Sequence, residues 1–285
     1  MPLKQMIKIK TDEVMHRAAY GTDSVLHCCI NLPYMKRALL FAICLLLCSL
    51  LRTATAQNHT PALEITHITD SIYKFTTWRM LNNAPFPSNS LYVLTPAGAV
   101  LIDCAWDTTQ FQPLLDTIAA RHRQQVIACI ATHSHADRTC MFHFLQAHGI
   151  ATWSSEKTYE QCKLHGNQLA AQYFVNDTTF DFGGYTIQTF YPGEGHTSDN
   201  IVIWFNHAKL LYGGCFVKSL EAHDLGYVEE SNVQAWPASI RNVQHHFKHI
   251  RYLVPGHQGG TSVQALPHTL HLLEELHVKN AVYNQ

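Results

Sequence analysis

Short apolar runs rich in branched side chains recur along this chain, and each ends abruptly at a cluster of polar or small residues. Val126-Ile127-Ala128-Cys129-Ile130-Ala131 gives way to His133-Ser134-His135-Ala136-Asp137-Arg138, and Ile187 to Tyr191 leads into Gly195-His196-Thr197-Ser198-Asp199-Asn200. Lys209 to Tyr212 leads into Gly213-Gly214-Cys215-Phe216-Val217-Lys218, and Tyr252 to Val254 into Pro255-Gly256-His257. Such runs predict buried strands, so the polar clusters fall on strand-end loops. Further strands are expected at Ile72 to Thr76, Ser90 to Thr95, Ala99 to Asp103, Thr186 to Phe190 and Ile201 to Phe205, with a hairpin turn at Pro96-Ala97-Gly98. Helices are expected at Pro113 to Arg121, Met141 to His148 with Gly149 ending it, Pro237 to Phe247 and Pro267 to His277.

The strand-end clusters carry the chemistry. His133 and His135 can point to one side of a strand end while Asp137, past the bend, reaches a neighbouring position. A lone His-x-His is a weak signal. Four loops that each offer nitrogen, sulfur or carboxylate oxygen are a stronger one, because those are the donors zinc accepts. Six such residues suit two three-ligand sites, divided as His133, His135 and His196 against Asp137, Cys215 and His257. Three ligands per metal leave a position for water, whereas a zinc protein without catalysis closes its site with a fourth protein ligand.

The motifs His-x-His-x-Asp-Arg at 133–138, Gly-His-Thr-x-Asp-Asn at 195–200, Gly-Gly-Cys-x-x-Lys at 213–218 and Pro-Gly-His at 255–257 resemble those of the class B beta-lactamases, specifically subclass B1, within the metallo-beta-lactamase fold superfamily. The resemblance runs from about Ile65 to the C-terminus. Superfamily members that cleave thioesters, lactones or phosphodiesters usually have a histidine after the motif aspartate and a bridging aspartate where this chain has Cys215. Arg138 and Cys215 therefore favour the lactamase over a lactone or thioester hydrolase of the same fold. The resemblance implies an α+β fold, a four-layer alpha-beta/beta-alpha sandwich with the metal site at one edge of the two sheets, and two Zn(II) ions per chain. It also implies a small-molecule beta-lactam substrate (penicillins, cephalosporins and carbapenems), attack by a zinc-bound hydroxide, antibiotic resistance as the outcome, and a monomer.

Composition agrees with one catalytic domain over residues 57–285, since 285 residues with 47% hydrophobic content bury a sizeable core. A formal net charge of −1 gives no sign of a nucleic-acid partner. Met35-Lys36-Arg37, the apolar stretch to Leu51 and Thr53-Ala54-Thr55-Ala56 read as a signal peptide over 35–56, with residues 1–34 as an upstream extension outside the native start. Export to the periplasm without stable membrane association follows. Neither Cys44 nor Cys48 follows a small residue, which disfavours a lipid anchor. Beyond residue 56 the cysteines are Cys104, Cys129, Cys140, Cys162 and Cys215, an odd number that argues against a disulfide framework.

Further roles follow from the resemblance. Asp137 orients the nucleophile, Lys218 pairs with the substrate carboxylate, and Arg138 lies beneath the second zinc as a supporting charge. Asp103 either accepts a hydrogen bond from a ligand histidine or simply ends its strand. Trp78, Met80 and Phe86 form an apolar lid in a hairpin over the substrate. Two positions depart from the family pattern. Cys140-Met141 stand where the family has two glycines, and Tyr227 stands where it commonly has an asparagine that binds the lactam carbonyl. Either the Tyr227 hydroxyl donates in place of that amide or the zinc manages alone, and Asn232 is out of register for the role. His245, His246 and His249 read as a solvated helix face.

Overall fold

Alternation along the strands sorts the apolar side chains into three layers in the computed structural model, which describes residues 61–283. The segment 35–56, expected to be a signal peptide, and the stretch 1–34 lie outside the described residues. One sheet runs in the order β1 (Glu64–Thr69), β2 (Ile72–Leu81), β3 (Ala84–Thr95), β4 (Gly98–Ile102), β5 (Val126–Ile130), β6 (Ala151–Ser155) and β7 (Gln172–Phe174). Its first four strands are antiparallel and its last four parallel. The second sheet runs in the order β12 (Tyr252–Pro255), β11 (Leu210–Gly214), β10 (Val202–Phe205), β9 (Thr186–Phe190) and β8 (Thr179–Asp181), with only the β11–β12 pair parallel.

Period-two alternation decides which layer each residue joins. Val100 and Ile102 of β4, Ala128 and Ile130 of β5, Ile203 and Phe205 of β10, and Leu210 and Tyr212 of β11 meet between the sheets. Their neighbours Ala99, Leu101 and Cys129 face outward onto helices α1 (Phe111–His122) and, beyond α2 (Ala136–Thr139), α3 (Phe142–Ala147). Val202, Trp204 and Leu211 face α5 (Trp236–His246) and α6 (Ala265–Tyr283), while α4 (Glu156–His165) packs beside β6. Helix, sheet, sheet and helix thus form the four-layer α-β/β-α sandwich of an α+β fold. No described helix is long and apolar enough to cross a membrane.

The expected strands and helices all form, with shifted ends. β2 and β3 run on to Leu81 and back from Ala84, where the sequence suggests strands ending at Thr76 and beginning at Ser90. α4 was not expected, because its sequence is mostly polar; its start is set locally, by the Ser155 hydroxyl accepting from the Thr158 N–H at 3.0 Å. Leu101 is fully buried on a central strand. Leu101→Ala is expected to cost about 2–5 kcal/mol in urea denaturation through lost burial and a residual cavity.

Candidate metal centre

The loops after β5, β9, β11 and β12 converge on one edge of the sandwich, each carrying one or more of the six residues. The His133, His135 and His196 rings stand 4.7–5.0 Å apart, at 77–85° to one another. Each offers a donor atom within 4.8 Å of the others. Burial, helped for His133 by His135 and for His196 by Lys218, holds both imidazoles well below their ordinary range. They are therefore neutral, as metal ligands must be. The His133 Nε2 is buried and has no hydrogen-bond partner among the described residues, an expense a metal ion at that point would remove.

The second group adjoins the first, since His133 Nε2 lies 3.9 Å from Asp137 Oδ1. Cys215 Sγ is 3.5 Å from Asp137 Oδ2 and 3.1 Å from His257 Nε2, and His257 Nε2 is 3.3 Å from Asp137 Oδ2. His257 donates from Nδ1 to the Pro87 carbonyl at 2.8 Å, which turns Nε2 toward Cys215 and Asp137. The close approach needs two glycines. Gly214 has φ +53°, and a Cβ on Gly256 would lie 2.6 Å from the Cys215 nitrogen. Burial opposes charge on Asp137, but Arg138, His257 and His133 outweigh it and hold the carboxyl well below the usual range. Both donor sets fit a soft-to-borderline divalent ion.

Arg138 lies beneath this group with no exposed surface. Its Nη2 contacts Asp137 Oδ2 and Cys215 Sγ, both at 2.9 Å, and donates to the Gly256 carbonyl at 3.0 Å. Its Nη1 donates to the Asn89 carbonyl at 2.7 Å and the Tyr212 hydroxyl at 3.0 Å, and lies 3.4 Å from Asp103 Oδ2. Asp103, with φ +65°, accepts from the Thr132 N–H and hydroxyl at 2.7 and 2.8 Å and from Tyr212 at 2.8 Å. Among the described residues it bonds to no histidine, and in place of a hydrogen bond to an imidazole it grips Thr132, the residue just before His133. Burial raises its pKa to about 6 against the pull of Arg138.

A cleft of about 770 Å³ opens over both groups, lined among others by Arg79, Phe86, Trp106, Lys218, Tyr227 and Glu230. A sequence profile of the metallo-beta-lactamase superfamily matches residues 83–257. Over 228 residues the chain is 36% identical to a metallo-beta-lactamase type 2 of Elizabethkingia meningoseptica, spanning 80% of this chain and 91% of that one. The chain belongs to the metallo-beta-lactamase superfamily. It is also 37% identical over 211 residues to the metallo-beta-lactamase IND-1 of Chryseobacterium indologenes, spanning 73% of this chain and 87% of that one. The crystal structure of metallo-beta-lactamase IND-7 matches with a TM-score of 0.73 and 35% identity, over 76% of this chain and 100% of that one.

In this member of the metal-dependent superfamily the cleft walls differ from the sequence expectation. Phe86 lines the cleft and its ring lies 5.0 Å from that of His257. Trp78 and Met80 do not line it; Arg79 and Leu81 do, because successive strand residues face opposite ways. Tyr227 reaches the cleft beside His135, at 5.6 Å between rings, but its hydroxyl donates to Glu230 Oε1 at 3.2 Å. Cys140 and Met141 pack toward the helix-side core and are not among the residues lining the cleft. Asn232 is turned away, bonded to Glu194 and to the Ala235 N–H. His246 stacks on Phe190 with centroids 4.2 Å apart, and neither it, His245 nor His249 joins a described metal-binding group.

Three residues at the site went unread in the sequence. Tyr212 and Thr132 sit at strand ends where only the fold shows their partners. Glu230 lies 3.1 Å from His135 Nε2 and 3.4 Å from His165 Nδ1, and so helps fix the His135 ring. Its only signal is an acidic pair, Glu229-Glu230, next to Tyr227. Glu230→Gln is expected to weaken metal affinity at the three-histidine position about tenfold, read by chelator competition, and to leave the second position unchanged. Arg138→Ala is expected to cost about 3–5 kcal/mol in denaturation of the metal-free protein, because it strands buried anions.

Proposed function

We propose that this protein is a zinc-dependent beta-lactamase of subclass B1 that opens the amide bond of penicillins, cephalosporins and carbapenems and so confers antibiotic resistance. The observation that carries this reading is the second ligand group, in which Asp137, Cys215 and His257 lie within 3.5 Å of one another above a buried Arg138. Arginine takes the place at which thioester and lactone hydrolases of the fold use a histidine ligand. The relatives' names agree, being metallo-beta-lactamases along most of their length. The domain is taken to span 57–285, released to the periplasm as a monomer after cleavage of the signal at 35–56.

His133, His135 and His196 would hold one Zn(II), and Asp137, Cys215 and His257 the other. Bound there, zinc supplies a water acidified enough to be a nucleophile at neutral pH, and positive charge where the carbonyl oxygen and departing nitrogen become anionic. The protein's own groups prepare that chemistry. Asp137 stays ionised beside Arg138 and can orient the attacking water through its carboxylate. Lys218, at the cleft wall with its ammonium 5.4 Å from the Trp236 ring centre, is placed to hold the substrate carboxylate. Tyr227 is poorly placed to polarise the lactam carbonyl while its hydroxyl serves Glu230, which leaves that task to the metal.

Turnover of a penicillin, a cephalosporin and a carbapenem by the purified protein is expected to vanish with chelator and return with zinc. Hydrolysis of lactones or thioesters with none of any beta-lactam would overturn the reading. Lys218→Ala is expected to raise KM for all three about tenfold with a smaller change in kcat, as loss of ground-state and transition-state binding alike requires.

A further inference from the structure

Arg79 is the one charged side chain that the β2–β3 hairpin presents to the cleft, and the metal chemistry does not use it. It is paired with Phe86 across the hairpin, so the two project from one face of the ribbon. Its guanidinium lies 5.4 Å from the centre of the Trp106 ring, a cation–π separation. Trp106 in turn stands edge-on to Phe86 at 6.4 Å and to His257 at 6.1 Å between centroids. An aromatic shelf therefore supports the cation on the His257 side of the cleft. Among the described residues it forms no ion pair.

Lys218 enters from a different wall, the loop after β11, and rests on a different tryptophan, Trp236. The cleft thus offers two cations, each carried on its own indole. The fused ring system of a penicillin brings one carboxylate. With Lys218 engaged by that group, Arg79, on a separate wall of the same cleft, is left free for an anion elsewhere on the substrate.

We propose that Arg79 is a specificity-determining residue that favours beta-lactams whose acyl side chain carries a second negative charge, its guanidinium pairing with that anion while Lys218 holds the ring carboxylate. The inference rests on the beta-lactamase reading above. A planar fork of donors suits a carboxylate, which it can grip with two parallel bonds. Because Arg79 is exposed, the gain is modest and sensitive to salt.

Benzylpenicillin and carbenicillin test this, since they differ by one carboxylate on the side chain. Steady-state kcat and KM would be measured for the zinc-loaded enzyme, for Arg79→Gln and for Arg79→Lys, at low and high salt. Arg79→Gln is expected to raise KM for carbenicillin about fivefold and to leave benzylpenicillin within about twofold. The charge-keeping Arg79→Lys should recover most of the difference, and high salt should shrink it in the unaltered enzyme. Equal losses for both penicillins would overturn the inference, because Arg79 would then hold the shared ring carboxylate or merely support the hairpin. No change for either would also overturn it. An unaltered enzyme that hydrolyses neither penicillin would overturn the beta-lactamase reading, and this inference with it; normal hydrolysis without a selective effect of Arg79→Gln overturns this inference alone.

Discussion

A single buried guanidinium ties the two sheets together at the edge where the ligands gather. Arg138 bonds to the Asn89 carbonyl of β3, to Asp103 just past β4 and to Tyr212 of β11. It reaches Cys215 after β11 and the Gly256 carbonyl after β12 as well. Burying such a cation costs several kcal/mol unless its donors are matched. Here burial pulls its pKa down, yet Asp137, the Cys215 sulfur, Tyr212 and Asp103 outweigh that and raise it well above the usual value. The dependence is mutual, since Arg138 is the largest of the groups, with His257 and His133, that keep Asp137 charged against its burial. A histidine in that place would supply a ligand but could not supply this permanent charge or its fork of donors.

The six candidate ligands come from the segments that follow β5, β9, β11 and β12, while the cleft around them is shaped largely by the β2–β3 hairpin and the segment after β11. The strand ends are fixed by three apolar layers, and Asp103 adds a local lock by holding Thr132, the residue before His133. The cleft walls are fixed less densely. They lean on aromatic contacts, Phe86 and Trp106 on one side and Trp236 under Lys218 on the other. A site built this way can keep its ligand geometry constant while its walls vary.

The same division explains what the sequence disclosed. Candidate ligands could be named because coordination chemistry allows few side chains, and because each followed an apolar run long enough to be a strand, and the fold brings the six together at one edge. The layered fold was legible through strand alternation, as in Ala99 to Ile102, where odd residues face α1 and even residues face the other sheet. What stayed hidden depended on register. The residues of the hairpin were recognisable as a group, but whether Trp78 and Met80 or Arg79 and Leu81 face the cleft turns on a shift of one position, and neither composition nor spacing sets that parity. Glu230 was hidden for a different reason, since its partners His135 and His165 are brought to it only by tertiary packing. Asp103 shows a third kind of failure: the residue was noticed, but its actual partners lie on β11 and the loop before His133.

The second ligand group also solves an electrostatic problem of its own before any metal arrives. Cys215, Asp137 and His257 crowd together at 3.1–3.5 Å, a spacing at which the buried carboxylate needs positive charge beside it. Burial lowers the His257 pKa, but Cys215 and Asp137 outweigh it and lift it to about 9, so the ring carries a proton at neutral pH. That proton and Arg138 together supply the positive charge the group needs. A divalent ion entering the same space would replace the proton and meet side chains already turned toward it by Pro87 and Arg138. These side chains would then need little reorganisation to bind a metal, because the ordering that a flexible site would have to undergo is carried instead by the folded β3, β11 and β12 strand ends.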